Sequence, residues 1–235
     1  MDKYSLHARI YPVVIFLLPI VILGITYSIK YEEYFQILTT LGVSSALVYM
    51  MSNIGRDKGK KKENKLWQGW GGMPTIQLLH FRDNTIDDIT KRKYHNKLLK
   101  FDPIEKEDVD FENTSLVNLS EIYQSWTKFL ISQTRDTKKY ALLFKENMSY
   151  GFRRNLWGLK TISLIFISIA LLINYVFAGL NVGFLCFNMF SSSFWISEIA
   201  LLLLMCIWLF VITSSWIKIP AYGYAERLLE SIETL

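Results

Sequence analysis

Lys93, Lys97 and Lys100 fall at i, i+4 and i+7, with Arg92 and Tyr94 beside them. Cations gathered on one helix face neutralise phosphates, and aromatic rings interleaved with them stack on bases. Trp67, Trp70, Tyr94 and His95 are the candidate rings, and Lys61, Lys62, Lys65, Arg82, Arg153 and Arg154 complete the candidate basic set. The chemistry this pattern offers is binding of a phosphate-rich ligand. A second reading stays open. Basic residues beside membrane spans also set topology and contact anionic lipids, and Trp67 and Trp70 are equally suited to filling a core.

Catalytic patterns are missing. There is no GxxxxGK[ST] loop, no GxGxxG, no HExxH and no GxSxG. His7, His80 and His95 are far apart, so neither a metal site nor a cofactor is expected, and acidic pairs such as Asp87-Asp88 suit the start of a helix better than acid–base work. Cys186 and Cys206 build no disulfide framework or thiolate site. An enzyme is not expected.

The elements that must position the basic set follow from where charge lies. Of 47 charged side chains, 35 fall between residues 52 and 160, with 21 Lys/Arg against 14 Asp/Glu, a net +7. Around that block, residues 10–29, 34–55, 161–197 and 199–217 carry no charge. About 20 helical residues cross a bilayer core of roughly 30 Å. Four transmembrane helices are expected near 11–29, 34–54, 161–179 and 194–217, the second being the most polar. The fold class is a mainly α membrane protein with a small α-rich domain inserted between helices 2 and 3: residues 1–55 hold the first helix pair, 56–160 the inserted domain, and 161–235 the second pair with a short tail. The run from Arg56 to Lys62 follows the second span and Arg153-Arg154 precedes the third, so the positive-inside rule places the insert and both termini in the cytoplasm.

Within the insert, residues 58–65 form a basic linker. Leu66 to Thr75, with three glycines and a proline, reads as a loop. Asp83-Asn84-Thr85 supplies N-cap candidates for a helix that should run through Asp87-Asp88 to Lys100. Pro103 and the acids from Glu105 to Glu112 mark another loop. A second helix, near 120–134, places Ile122, Trp126, Phe129 and Leu130 on one face; a third, near 137–148, should end at Tyr150-Gly151.

Gln36, Thr40, Ser44, Leu47 and Met51 lie along one face of the second span, polar at the outer end and apolar at the inner end. That is a candidate pore lining, or small residues that let helices approach. Four helices in one chain barely enclose an aqueous path, so a pore requires a homo-oligomer, a tetramer being favoured. Few charges lie in the spans, which speaks against a transporter-like or lipid-modifying enzyme; Glu198 is the borderline acid.

Leu66-Trp67, Trp70-Gly71-Gly72-x-Pro74-Thr75, Tyr94-His95-Asn96-Lys97-Leu98, and the run from Gln133-Thr134-Arg135-Asp136 to Phe144-Lys145-Glu146-Asn147-Met148-Ser149-Tyr150-Gly151-Phe152-Arg153-Arg154-Asn155 resemble a family of bacterial four-helix membrane proteins, over roughly residues 66–160. The architecture is also similar to the membrane effector of the Hailong antiphage system. That resemblance implies a channel-forming oligomer held closed by a short DNA oligomer from a partner nucleotidyltransferase, with the basic insert binding single-stranded DNA. The expected function is therefore a ligand-gated channel of antiphage defence, in contact with membrane lipids and an oligonucleotide or other nucleotide ligand. A membrane scaffold that recruits a protein partner without conducting ions is the alternative.

Overall fold

The computed structural model describes residues 2–27, 43–101, 111–112 and 116–235. Every regular element among them is helical: α1 (Ser5–Thr26), α2 (Val43–Trp70), α3 (Pro74–Leu79), α4 (Asp88–Phe101), α5 (Leu116–Gln133), α6 (Ala141–Val182), α7 (Ser192–Val211), α8 (Ser214–Glu230) and a closing 3-10 turn, Ser231–Thr234. They sort into two compact units: Met1–Lys62 with Gly151–Trp216, and Glu63–Tyr150 with Ile217–Leu235. Helices α2, α6 and α8 contribute residues to both.

The first unit is apolar. Helices α1, α6 and α7 are each long and apolar enough to cross a membrane. Val13, Phe16, Leu156, Leu159, Ile167, Leu204 and Trp208 fill its core. Ile165, Leu172, Ile196, Leu203 and Phe210 point outward, an apolar exterior that suits lipid and would be a liability in water. Three of the four expected spans thus have counterparts. The second falls partly on 28–42, outside the described residues; its remainder begins α2. Gln36 and Thr40 lie in that undescribed stretch, Ser44 is in the first turn of α2, Leu47 is exposed, and Met51 packs against the core.

Glycine sets the spacing of α2 and α6. A Cβ on Gly158 would collide with the Gly55 carbonyl oxygen and lie 2.6 Å from the Gly59 nitrogen. A Cβ on Gly59 would lie 2.8 Å from the Arg154 carbonyl oxygen. The two backbones therefore touch, with Gly55 and Gly59 at i, i+4 against Gly158, the small-residue crossing that lets membrane helices approach closely. At the far end of the same unit, fully buried Asn174 joins three helices. Its Oδ1 accepts from Tyr27 Oη (2.6 Å) and Ser197 Oγ (3.2 Å), and its Nδ2 donates to Glu198 Oε2 (2.7 Å). Glu198, the one acid in the apolar tracts, is thereby hydrogen-bonded.

The second unit is polar outside, with a core of Leu78, Leu79, Tyr94, Leu98, Tyr123, Trp126 and Leu130, closed by Leu228, Leu229 and Ile232. The C-terminal segment expected as a tail is thus a wall of this unit. Three further expectations need correction. The basic stretch 58–65 and Leu66 to Trp70 are helical, because α2 continues through Gly69 and breaks only at Gly71 and Gly72, whose φ values are +92° and +136°. The helix after Asp83-Asn84-Thr85 is capped instead by Asp87, whose Oδ1 accepts from the Thr90 amide at 2.9 Å. The third insert helix does not end at Gly151: α6 continues to Val182, 42 residues in all, and Gly151 lies where a Cβ would sit 2.8 Å from Tyr4 Oη.

Gly158→Ala should therefore destabilise the protein by about 1–3 kcal/mol. Gly69→Ala, where a Cβ meets nothing within 4 Å, should be neutral or stabilise by up to about 1 kcal/mol. Thermal unfolding in detergent compares the two; equal effects would overturn the close crossing.

Candidate functional site

The polar unit turns sharply where α2 meets α3. Gly72 N–H donates to the Trp67 carbonyl (2.8 Å) and Gly71 N–H to that of Gln68 (3.2 Å). This is the paired 6→1 and 5→2 bonding of a Schellman cap, with a left-handed glycine at the first position past the helix. Met73 is extended, as a residue before proline should be, and Pro74 opens α3. Gln77 locks the corner: its Nε2 donates to Gly72 O (2.6 Å), and its Oε1 accepts from Tyr222 Oη of α8 (2.9 Å). The Trp-Gly-Gly-x-Pro run is thus a helix cap followed by a helix start.

That corner and α5 enclose a groove of about 680 Å³, within the range of small-ligand sites. Trp67, Met73, Ile76 and Ile131 supply its apolar wall. The carboxamides of Asn64, Gln68 and Gln124 each offer a donor and an acceptor, and Lys128 is the single charged residue among those lining it. The Thr127 hydroxyl is already spent on the Tyr123 carbonyl (2.7 Å). The Trp67 indole N–H is enclosed without an acceptor among the described residues. A flat ring, three carboxamides and one ammonium, with no carboxylate lining the groove, suit an anionic heteroaromatic ligand.

The remaining candidates are dispersed. Lys65 is exposed on α2 next to Asn64, and Trp70 is half-buried in the last turn. Arg82 is exposed. Arg92 pairs with Glu112 (3.1 Å) at the mouth of a smaller cleft of about 340 Å³, beside His95, Asn96 and Phe111. Lys93 and Lys97 do share a face, but Glu233 lies on it, at 2.7 and 3.5 Å, and Lys97 also donates to the Ile232 carbonyl (3.1 Å). In the apolar unit, Lys61 is exposed, Lys62 lies against Trp157, Arg154 is buried, and the Arg153 guanidinium stacks on Trp216 while donating to its carbonyl (2.7 Å).

Tyr94 and His95 belong to the core, not to a ligand face. His95 Nε2–H donates to the Leu79 carbonyl (3.0 Å), and the ring packs among Phe111, Tyr123 and Trp126. Burial pushes its pKa down to about 4, with Lys91 and His80 adding to the shift and the Leu79 bond opposing it. Lys91, also buried, donates to the Asp83 carbonyl. Sequence reasoning passed over Gln68, Gln124, Lys128 and Glu233. A signal existed for α5, where Ser120, Gln124, Thr127, Lys128 and Ile131 recur at helical spacing beside the core stripe. Glu233 comes from the distant C-terminal segment and carried no local signal. No family model, curated protein or solved structure matches the chain.

Because His95 is held neutral when folded, its stabilisation is complete above the unfolded value near 6.5 and is lost as pH falls from there through about 4. Urea unfolding of the wild type should lose about 2–3 kcal/mol more than His95→Phe between pH 7 and 4.5. Parallel pH profiles for the two proteins would contradict the buried neutral imidazole.

Proposed function

We propose that the protein is a ligand-gated membrane channel whose polar unit is cytoplasmic and binds a nucleotide or short single-stranded DNA in the Trp67 groove. One observation carries this reading: the helix that supplies Asn64, Trp67 and Gln68 to the groove is the same α2 whose earlier residues, 43–62, belong to the apolar unit. A ligand that shifts the last turns of α2 acts on a rod that continues into that unit. Trp67 stacks on a base, the carboxamides meet its edges, and Lys128, with Lys65 at the rim, takes the phosphate. Coupling of this kind amounts to about 1–3 kcal/mol per site, which several subunits of a homo-oligomer, a tetramer in the simplest case, would sum.

The reading extends to four spans in a bacterial inner membrane, the second near 34–54 lining the path, with both termini on the cytoplasmic side. The ligand would come from a partner nucleotidyltransferase in antiphage defence. Support for these points is the charge distribution and the sequence resemblance.

Purified protein in a planar bilayer should conduct, and a labelled single-stranded DNA tetranucleotide should change that conductance. Trp67→Ala and Lys128→Glu should each weaken binding of that probe roughly tenfold while leaving the thermal midpoint within a few degrees of the wild type. Binding without conductance in any condition would favour the scaffold. Unchanged binding in both variants would remove the groove as the site.

A further inference from the structure

The close crossing of α2 and α6 has a chemical by-product. Lys62 lies one turn beyond Gly59, and Trp157 and Lys160 flank Gly158, so the contact that brings the glycines together also gathers two ammonium groups at one ring. Lys62 Nζ lies 5.9 Å and Lys160 Nζ 5.0 Å from the Trp157 ring centroid, both within cation–π range. Neither forms an ion pair with a carboxylate among the described residues. Lys160 Nζ donates to the carbonyls of Leu209 (3.0 Å) and Ile212 (2.8 Å), and Lys62 Nζ to that of Trp157 (3.5 Å). An ammonium has three N–H donors, so one remains on Lys160 and two on Lys62. Partial burial lowers the pKa of Lys62, and the neighbouring charge of Lys58 adds to this. Two partly buried cations with no carboxylate beside them among the described residues are incompletely compensated.

Their position says what anion would meet them. Lys160 is the last charged residue before 37 uncharged ones, and a tryptophan ring suits the headgroup level of a bilayer. Running on from Trp157 at helical spacing, Thr161, Ile165, Ser168 and Leu172 are exposed on α6. That strip would lie alongside an acyl chain.

We propose that Lys62, Lys160 and the Trp157 ring form a binding site for the phosphodiester of an anionic phospholipid, its acyl chain lying along Thr161, Ile165, Ser168 and Leu172. The two ammoniums hold the unbridged phosphate oxygens. A zwitterionic headgroup is disfavoured because its own ammonium or choline would enter a site that already holds two cations and no carboxylate partner. The site is separate from the Trp67 groove and does not depend on gating.

Native mass spectrometry of the full-length protein in detergent, titrated with phosphatidylglycerol or with phosphatidylcholine, tests it. One phosphatidylglycerol should be retained per chain, at least about fivefold more strongly than phosphatidylcholine. Lys62→Gln should lower that retention roughly fivefold, the usual contribution of one lysine at an anionic surface, and Lys62→Arg should keep it. The thermal midpoint of Lys62→Gln separates loss of lipid from loss of fold. Equal retention of both lipids by the wild type would overturn the site, as would unchanged retention in a folded Lys62→Gln. Displacement of the lipid by equimolar glycerol 3-phosphate would reassign the site to free phosphate and overturn its lipid character.

Discussion

Direct backbone contact between α2 and α6 is the constraint on which the apolar unit depends. Gly55, Gly59 and Gly158 leave no room for a Cβ between the two helices, so the side chains on either side are fixed in register by the crossing. Leu159 packs over Gly55, Lys62 reaches Trp157, and the Asn155 amide donates to the Ala8 carbonyl at 2.6 Å, which ties α1 to the same place. In a lipid environment this is the expected economy. Burial against hydrocarbon gains little there, and close van der Waals contact with hydrogen bonding must hold helices together.

The polar unit is organised by a different principle, an aromatic core in which several buried polar groups find a partner, while Tyr123 Oη and Trp126 Nε1 have none among the described residues. His95 finds the Leu79 carbonyl, Lys91 that of Asp83, and Tyr150 Oη donates to Glu63 Oε1 at 2.6 Å. Buried polar groups left without such partners would be costly. The same logic removes Lys93 and Lys97 from easy access: Glu233 already neutralises them in part. What remains open to a ligand is the groove between the capped end of α2 and α5. Its polarity is carried by carboxamides rather than by charge.

Much of the helical framework was legible in the sequence, because spans one, three and four announce themselves through charge-free length and the α5 core face through its spacing. The amphipathic pattern correctly placed Trp126 and Leu130 inside. Two features were not legible. The pattern reads glycine as a break at Gly69 and Gly151, yet α2 ends at Gly71 and Gly72, which take positive φ, while Gly151 sits inside a helix where a close neighbour leaves no room for a Cβ; sequence does not distinguish the two roles. Tyr94 and His95 were assigned to a ligand because they neighbour lysines in sequence, but on a helix adjacent residues point about 100° apart. The basic face and the core face were therefore confused by one step of rotation. Lys128 escapes the pattern for the converse reason, lying on the stripe beside the apolar face of α5.

The composition of the polar unit also bears on how the chain is made. Ala225, Leu228, Leu229 and Ile232 are buried in a core whose other buried members come from residues 76–143. During synthesis, at about 5–20 residues per second, that core stays open until α8 has emerged. The polar unit therefore closes only after residues 151–216, which lie in sequence between its two parts, have been made, and until then its aromatic core lacks one wall.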